Sequence, residues 1–295
     1  MQAPRMTMNS NARRARPRWA AALTVSLLFL VSCSSKTLNA AEDTKMLDAK
    51  TLVEKGMKAF FQDFSEEDVR ALFTEDYIQH NPHVPTGLAP VIGLLPALKD
   101  ANFGYTTHRI LQDGDLVLTH TTYRNAEVFG ANKVVAFDLW RVENGKIAEH
   151  WDAITPLVTK TASGRSQTDG ATEVTDLHKT DENKELVRRF VTDVLIGENY
   201  SKMDDFIRDG KYDQHNPLVE DGPKALEGAI GFLKMKKIHR LVGEGNFVLT
   251  QSEGLWDGKA HVFYDLFRVA DGWIVEHWDV LQEIPAEMAH DNGML

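Results

Sequence analysis

One stretch occurs twice in the chain. Residues 137–152 have the sequence FDLWRVENGKIAEHWD, and residues 264–279 have the sequence YDLFRVADGWIVEHWD. In both copies, β-branched and aromatic residues flank an Asn-Gly or Asp-Gly pair, the strongest short-range signal for a β-hairpin. Five polar positions are the same in both copies: Asp138/Asp265, Arg141/Arg268, Glu149/Glu276, His150/His277 and Asp152/Asp279. Two similar hairpins, each carrying acid and imidazole groups, are therefore the first expectation.

The register of the hairpin decides whether these groups meet. A three-residue loop with Gly145 in the left-handed region places Asp138 opposite His150, with Asp152 on the same face. A two-residue loop separates Asp138 from His150, because a slip of one residue turns every side chain over. We favour the three-residue loop because it gathers the acids and the imidazole. The opposite face is then apolar, with Phe137, Leu139, Ile147 and Trp151, or Tyr264, Leu266, Ile274 and Trp278 in the second copy.

Other short blocks recur in the same order. YIQHNP at residues 77–82 returns as YDQHNP at 212–217, and HRIL at 108–111 returns as HRLV at 239–242. Such long-range self-similarity predicts two homologous domains of ordinary size, at residues 45–158 and 181–285. Residues 159–180, rich in Ser, Thr, Gly and Asp, are predicted to be a linker.

Within each copy, helical patterns come first and strand patterns follow. Helices are predicted at 44–61, 65–73 and 87–99, and at 181–196, 200–208 and 223–235. Four strands follow each time, at 105–112, 116–124, 133–142 and 146–154, and at 237–242, 246–256, 259–269 and 273–281. This order predicts an α+β fold in which three helices pack on an antiparallel sheet.

These blocks and their order resemble the SnoaL-like polyketide cyclase family, which has the cone-shaped fold of nuclear transport factor two and ketosteroid isomerase. The resemblance covers both copies and implies a conical pocket between the helices and a curved sheet. In the cyclases, an Asp on the last strand serves as acid and base in an aldol condensation, and it corresponds to Asp152 and Asp279. The family's second pocket residue is a His, where this chain has Asp138 and Asp265. His150 and His277 can supply the imidazole from a neighbouring position instead.

The chemistry of these residues also favours acid–base catalysis. A carboxylate near a second carboxylate in a partly apolar pocket can have a raised pKa and exchange protons near neutral pH. The catalytic candidates are Asp138, His150, Asp152, Asp265, His277 and Asp279. The alternative is a buried structural network in which these acids pair with Arg141, Arg109 or His150.

Further residues are candidates for the pocket wall. The substrate-binding candidates are His80, Asn81, His108, Trp140, His215, Asn216, His239 and Phe267. An Asx-type turn, a core histidine and core or interface packing of the aromatic residues are the structural alternatives. Since no close ligand spacing such as HExxH occurs, no metal and no cofactor are expected.

The amino terminus predicts export. Residues 1–32 hold five Arg and no acid, followed by an apolar run too short to span a bilayer, as in a signal peptide. Leu30-Val31-Ser32-Cys33 resembles the lipobox of bacterial lipoproteins, so Cys33, the only cysteine, is the predicted lipidation site. Residues 33–44 would be a tether; a secretory peptide cleaved near Ala40 or Ala41 is the alternative. Both predict export; the lipidated form would be a bacterial cell-envelope lipoprotein whose lipid anchor is its membrane contact.

Charge and apolar surface bear on partners. The formal net charge is −10 and no basic stripe follows Cys33, which argues against a nucleic-acid partner. The apolar hairpin faces predict that the two copies pack sheet to sheet as an intrachain pseudo-dimer in a monomeric chain. The expected function is aldol condensation, cyclisation or isomerisation of a small carbonyl compound. The alternatives are binding of an apolar small molecule without turnover and a purely structural or interaction role.

Overall fold

The computed structural model describes residues 47–229 and 231–295. The predicted signal peptide, Cys33 and the predicted tether lie outside these residues. The described residues belong to one compact unit that begins at Lys45. None of the helices described is long and apolar enough to span a membrane. We call residues 47–158 the first half and residues 181–283 the second half.

The first half begins with helices. α1 (Ala49–Lys58) continues into a π-helical turn at Ala59–Asp63 and is followed by α2 (Glu66–Leu72), α3 (Leu88–Gly93) and α4 (Leu95–Asp100). Ser65 caps α2 as predicted, because its hydroxyl accepts from the Asp68 amide at 3.2 Å. The predicted helix at 87–99 is two short helices, which is consistent with the helix-breaking effect of Pro90 and Pro96.

The second half has less regular helix. α5 (Thr180–Arg189) runs into a π-helical segment at Phe190–Ile196, a 3₁₀ segment covers Tyr200–Asp205, and α6 (Pro223–Ala229) is short. The predicted helix at 223–235 was too long at its carboxyl end, since strand pairing begins at Leu233. Leu233 and Met235 are half-buried and buried there, so tertiary burial overrides the local helical pattern.

Each half contains one five-stranded sheet. The strands of the first half are β1 (Phe73–Gln79), β2 (Gly104–Asp113), β3 (Leu116–Arg124), β4 (Lys133–Glu143) and β5 (Lys146–Pro156), in the order β1-β5-β4-β3-β2. Those of the second half are β6 (Asp213–Gln214), β7 (Leu233–Glu244), β8 (Phe247–Trp256), β9 (Lys259–Ala270) and β10 (Trp273–Glu283), in the order β6-β10-β9-β8-β7. The predicted antiparallel sheets are correct for four strands each. The edge strands β1 and β6 add parallel pairs that the sequence analysis did not predict.

The hairpin has a two-residue loop, so the favoured three-residue loop was wrong. Asn144 and Gly145 have φ of 50° and 75°, as do Asp271 and Gly272 with 50° and 78°, and both positive angles are typical of a type I′ turn. A bulge between Ile147 and Glu149 then shifts the register by one residue, because Val142 pairs with Ile147 but Arg141 pairs with Glu149. This shift returns Asp138, His150 and Asp152 to the same face of the sheet. Asp138 consequently lies opposite Asp152, and not opposite His150.

Because of the bulge, the predicted apolar face was wrong at one residue of each hairpin. Phe137, Leu139 and Trp151 lie on the predicted side, but Ile147 packs into the cluster beneath the helices of its own half. Ile274 does the same in the second half. A bulge adds one residue to one strand only, so it moves residues before it to the other face.

The buried apolar residues of the described chain form three clusters. One lies between helices and sheet in each half, and the third combines both sheets, including Leu118, Leu139, Trp151, Leu249, Leu266 and Trp278. Two cation–π contacts accompany the third cluster. Arg109 lies 4.0 Å from the Trp278 ring centroid and Arg240 lies 3.9 Å from that of Trp151. The apolar sheet faces are therefore in contact with each other.

Residues 159–180, which we call the crossover segment, contain no strand but are packed. Arg109 donates hydrogen bonds to the carbonyls of Thr168, Asp169 and Ala171 at 3.2, 2.6 and 2.8 Å. Thr161 and Gln167 are buried. The segment is thus fixed to both halves over much of its length.

Candidate active site

The first half encloses a small cavity above its sheet. The space measures about 50 Å³, which is enough for a few water molecules or a small organic group. Its wall is largely apolar, and its polar residues come from β1, β3, β4, β5 and the turn after β1. The polar lining residues are Tyr77, Gln79, Asn81, Tyr123, Asp138, His150 and Asp152.

Two carboxyl groups face each other across the hairpin in this cavity. Asp138 on β4 and Asp152 on β5 form a directly opposite pair, and the next pair on the same face is Trp140 with His150. Asp138 is 2% exposed and Asp152 is 4% exposed. The carboxyl groups are therefore held together in surroundings that disfavour two negative charges.

Asp152 has one bonded oxygen and one free oxygen. Its Oδ2 accepts from the Asn81 side-chain amide at 2.8 Å, while its buried Oδ1 has no hydrogen-bond partner among the described residues. Burial raises the pKa of Asp152 and the nearby Asp138 adds to this effect, while His150 and Asn81 oppose it, so that the pKa is about 6. A carboxyl group of this kind can take up and release a proton near neutral pH.

The orientation of His150 follows from its neighbours. Gln79 Oε1 accepts from the backbone amides of His80 and Asn81, both at 2.9 Å, which identifies it as the oxygen of the amide. His150 Nδ1 lies 3.0 Å from the same oxygen and must therefore be the protonated nitrogen that donates to it. This fixes which nitrogen of His150 faces the carboxyl.

That nitrogen, Nε2, lies 3.2 Å from Asp138 Oδ1. A hydrogen bond between them needs one more proton, carried either by the imidazole or by the carboxyl. The hydroxyl of Tyr123 donates to the other oxygen of Asp138 at 3.0 Å. When that proton is present, Asp138 and His150 form a hydrogen-bonded pair beside the free oxygen of Asp152.

The second half repeats the constellation. Asp265 lies opposite Asp279 and Phe267 lies opposite His277. His277 Nδ1 donates to Gln214 Oε1 at 2.9 Å, and its Nε2 lies 3.1 Å from Asp265. Asn216 donates to Asp279 at 2.5 Å, and burial raises the pKa of Asp279 to about 6. The cavity here measures about 40 Å³.

One difference separates the two sites. Thr119 pairs with Asp138 and Thr250 pairs with Asp265, so the position of Tyr123 corresponds to Gly254 in the second half. Asp265 Oδ2 is left without a hydrogen-bond partner among the described residues. A side chain at Gly254 is excluded by the backbone of β7, since a Cβ there would lie 2.5 Å from the Lys234 carbonyl oxygen. The second site therefore holds its acid pair without the tyrosine hydroxyl.

The structure separates the predicted site residues into two groups. Inside the cavities lie all six predicted catalytic residues and four of the predicted substrate-binding residues, namely Asn81, Trp140, Asn216 and Phe267. The described histidines His80, His108, His215 and His239 are not among the lining residues.

The four outer histidines have other contacts. The rings of His80 and His215 stack on Trp151 and Trp278, which belong to the cluster between the sheets. His108 and His239 occupy bulge positions, where His108 lies 2.8 Å from the Thr122 hydroxyl. The bulge at His108 breaks the alternation of side chains along β2, which a local sequence pattern does not reveal.

Sequence reasoning missed Gln79 and Gln214, which orient the two imidazoles. Both belong to the repeated Tyr-x-Gln-His-Asn-Pro block, so their recurrence in both copies was a usable signal. Tyr123 was also missed, and since it has no counterpart in the second copy, the repeat gave no hint of it.

Within the described part of the chain, the two groups of catalytic candidates are also where a cation could bind. Ligand atoms of Asp138, His150 and Asp152 lie within 4.8 Å of one another, as do those of Asp265, His277 and Asp279. Because the Nδ1 protons are committed to Gln79 and Gln214, the free Nε2 atoms would be the nitrogen ligands.

Comparison with known proteins gives a match in the first half. Residues 55–150 match the SnoaL-like domain. The matched segment runs from α1 into β5 and includes Asp138 and His150. No curated protein matches the chain.

Solved structures of low sequence identity are similar to part of the chain. TsrD from Streptomyces laurentii is 20% identical over 37% of this chain and 90% of its own, with a TM-score of 0.32. IdmH, a putative polyketide cyclase from Streptomyces antibioticus, is 20% identical over 37% and 92%, with a TM-score of 0.31. An LEH-like epoxide hydrolase of M. tuberculosis is 23% identical over 36% and 82%, with a TM-score of 0.30.

Proposed function

We propose that this protein is an acid–base enzyme that catalyses aldol condensation, cyclisation or isomerisation of a small carbonyl compound. The observation that carries the proposal is the Asp152 carboxyl, which is buried, has one free oxygen and has a pKa of about 6. It lies beside a second carboxyl that shares a proton with an imidazole. The match of residues 55–150 to the SnoaL-like domain supports a small molecule as the ligand.

The proton transfers follow from these positions. The free oxygen of Asp152 removes a proton from the carbon next to the substrate carbonyl, and the electron pair of that C–H bond moves to form an enolate. The Asp138–His150 pair donates its shared proton to the enolate oxygen. In an isomerisation, Asp152 returns the first proton to a different carbon, and the enol O–H proton goes back to the Asp138–His150 pair. In an aldol condensation, the enol carbon attacks a second carbonyl, whose oxygen takes the proton from Asp152 while the enol O–H proton goes back to the pair.

The cavity limits what can bind. Its wall is mainly apolar, and a space of about 50 Å³ is far smaller than the pockets that enclose drug-sized ligands. A compact carbonyl compound therefore suits the first cavity better than a large aromatic polyketide.

The second site takes part through Asp279, Asp265 and His277 in the same roles. Asp265 lacks the hydrogen bond that the Tyr123 hydroxyl gives to Asp138, so its carboxyl is less firmly positioned. The proposal therefore assigns most of the turnover to the first site.

We extend the proposal to the assembly of the chain. Residues 45–158 and 181–285 form two domains arranged as an intrachain pseudo-dimer, so the protein is a monomer. Support comes from the apolar cluster shared by the two sheets and from the reciprocal contacts of Arg109 with Trp278 and of Arg240 with Trp151. Light scattering after size exclusion tests this assembly, and a dimer of chains would contradict it.

We also propose that the protein is an exported lipoprotein of a bacterial cell envelope. The basic and apolar segments before Leu30-Val31-Ser32-Cys33 support it. Cys33→Ser should abolish incorporation of labelled fatty acid and release the protein from the membrane fraction. Unchanged membrane association of the Cys33→Ser variant would contradict lipidation.

Deuterium exchange tests the chemistry without knowledge of the final product. Small ketones and aldehydes incubated in D₂O should gain deuterium next to the carbonyl when the protein is present. Asp152→Asn combined with Asp279→Asn should slow this exchange about 100-fold or more, which is a usual contribution of a general base. Asp76→Asn, an exposed carboxyl on β1, is the matched control and should leave it unchanged.

The result also separates the enzyme from a binding protein. Ligands that shift the spectra of cavity residues but gain no deuterium would overturn catalysis in favour of binding without turnover. The apolar walls of both cavities are the observation that favours this second candidate.

A further inference from the structure

The end of the chain lies across the first half. After β10, residues 284–295 form a C-terminal tail that reaches the turn after β1. The Ala289 amide donates to the Pro82 carbonyl at 2.8 Å, and the Asn292 side-chain amide donates to the Gln79 carbonyl at 2.9 Å. His80 Nδ1 donates to the Gly293 carbonyl at 2.7 Å.

Two further contacts fix the tail in this place. His290 Nε2 donates to the Asn81 carbonyl at 2.9 Å. The side chain of Met294, only 2% exposed, belongs to the apolar cluster between the sheets. The tail is therefore bound at one end by apolar packing and along its length by the Gln79–Pro82 backbone.

The crossover segment, which follows β5, makes the corresponding contacts with the second half. The Ala162 amide donates to the Pro217 carbonyl at 3.0 Å, and the Ser163 hydroxyl donates to the Gln214 carbonyl at 2.6 Å. His215 Nδ1 donates to the Ser166 carbonyl at 2.6 Å.

The two sets of contacts use the same three atoms of the repeated block. In each half, the carbonyls of the Gln and the Pro accept hydrogen bonds, and the His ring donates one, in the repeated Gln-His-Asn-Pro block. In each half, the partner segment is the stretch of chain that leaves the last strand of the other half. The contacts are thus reciprocal between the halves.

The Gln-His-Asn-Pro block that these contacts hold in place also orients the acid–base groups. Gln79 Oε1 bonds His150 and Asn81 bonds Asp152 in the first half, while Gln214 and Asn216 bond His277 and Asp279 in the second. Movement of the block would release both hydrogen bonds to the imidazole and the carboxyl at once.

We infer that each site is positioned by the chain that leaves the other half, with Asn292 acting on the first site and Ser163 on the second. Both are positioning residues, because they reach the acid–base groups only through the Gln-His-Asn-Pro blocks. The inference deepens the proposed function, on which its significance for turnover rests, but its structural content can be measured without a substrate.

Hydrogen exchange on the full-length chain, followed by mass spectrometry of peptides containing Asn81 or Asn216, provides the test. Asn292→Ala removes the hydrogen bond to Gln79, and Ser163→Ala removes the one to Gln214. Asp291→Ala and Lys160→Ala change exposed neighbours in the same two segments and serve as matched controls.

A crossed pattern is expected. Asn292→Ala should accelerate exchange about fivefold at Asn81 and not at Asn216, the factor that corresponds to one hydrogen bond of ordinary strength. Ser163→Ala should do the reverse, and neither control should change either peptide. A conservative Ser163→Thr variant, which keeps the hydroxyl, should restore protection at Asn216.

Other patterns overturn the inference. Equal acceleration at both peptides in either variant would mean general destabilisation, and unchanged exchange would mean that these contacts hold nothing in place. If the proposed function is wrong, the protein transfers no deuterium to any carbonyl compound, but the crossed pattern of hydrogen exchange is still observed. The two failures can therefore be told apart.

Discussion

Asp152→Asn is expected to make the protein more stable at neutral pH while it abolishes the proposed activity of the first site. Asparagine has the same shape as the carboxyl group, and its oxygen can accept the hydrogen bond from Asn81 that Asp152 Oδ2 accepts at 2.8 Å. What the substitution removes is a negative charge in a buried site that faces Asp138. Such charges are costly unless they are fully paired.

The magnitude follows from the pKa of Asp152. Burial raises it from the ordinary value of 3.8 to about 6 in the folded protein. Below pH 3.8 the group is protonated in both the folded and the unfolded state, so it has no effect on stability. Between pH 3.8 and 6 the unfolded state loses its proton first, and the free energy of unfolding falls as the pH rises.

Above pH 6 both states are ionised and the loss is complete. A shift of roughly 2 units at 1.36 kcal/mol each corresponds to a loss of about 3 kcal/mol. The variant avoids this loss, but its new amide hydrogens, at the place of the free Oδ1, have no partner, which costs about 1–3 kcal/mol. A net gain of about 1 kcal/mol at pH 7.5 is therefore expected.

Urea unfolding at pH 4 and at pH 7.5 checks this expectation. The difference in stability between the two pH values should be smaller in Asp152→Asn than in the wild type by about 3 kcal/mol. Asp76→Asn should keep the wild-type difference. The reasoning is refuted if Asp152→Asn is less stable than the wild type at pH 7.5 and retains the full pH dependence.

Three further substitutions test other parts of the account. Gln79→Leu should lower the free energy of unfolding by about 3 kcal/mol, because it leaves the Asn81 amide and the His150 Nδ1–H without their acceptor; a loss under about 1 kcal/mol in urea unfolding would contradict the network. Leu139→Ala should cost about 2–5 kcal/mol in the same assay as a cavity between the sheets, whereas Leu47→Ala, at an exposed position, should change stability by less than about 0.5 kcal/mol. Tyr123→Phe should slow deuterium transfer about tenfold, which corresponds to the loss of one hydrogen bond of about 1.4 kcal/mol to Asp138, and an unchanged rate would remove the tyrosine from the proposed mechanism.

The repeated hairpin shows how much of the fold the sequence reveals. Asn144-Gly145 and the flanking β-rich residues predicted the turn and both strands, since this dipeptide adopts positive φ more easily than others. The bulge between Ile147 and Glu149 could not be predicted, because it depends on how β4 and β5 pair with the rest of the sheet. The grouping of Asp138, His150 and Asp152 was therefore correct although the register proposed for it was wrong.

Nonlocal pairing accounts for the other differences. β1 joins the sheet through parallel pairing with β5, and the sequence distance between them hides that contact from any local pattern. His80 was assigned to the cavity because it lies beside Asn81, yet neighbouring residues in an extended segment point to opposite sides. Its ring accordingly stacks on Trp151, while Asn81 reaches Asp152.

The most direct test of the central claim is a ¹³C NMR titration of the aspartate carboxyl groups, with Asp152 and Asp279 assigned through their Asn variants. The account predicts that both groups titrate near pH 6, about two units above an ordinary aspartate. Titration of both groups below pH 4 would contradict it, since carboxyls of that kind would be ionised, fully stabilised members of a structural network rather than groups tuned for proton transfer.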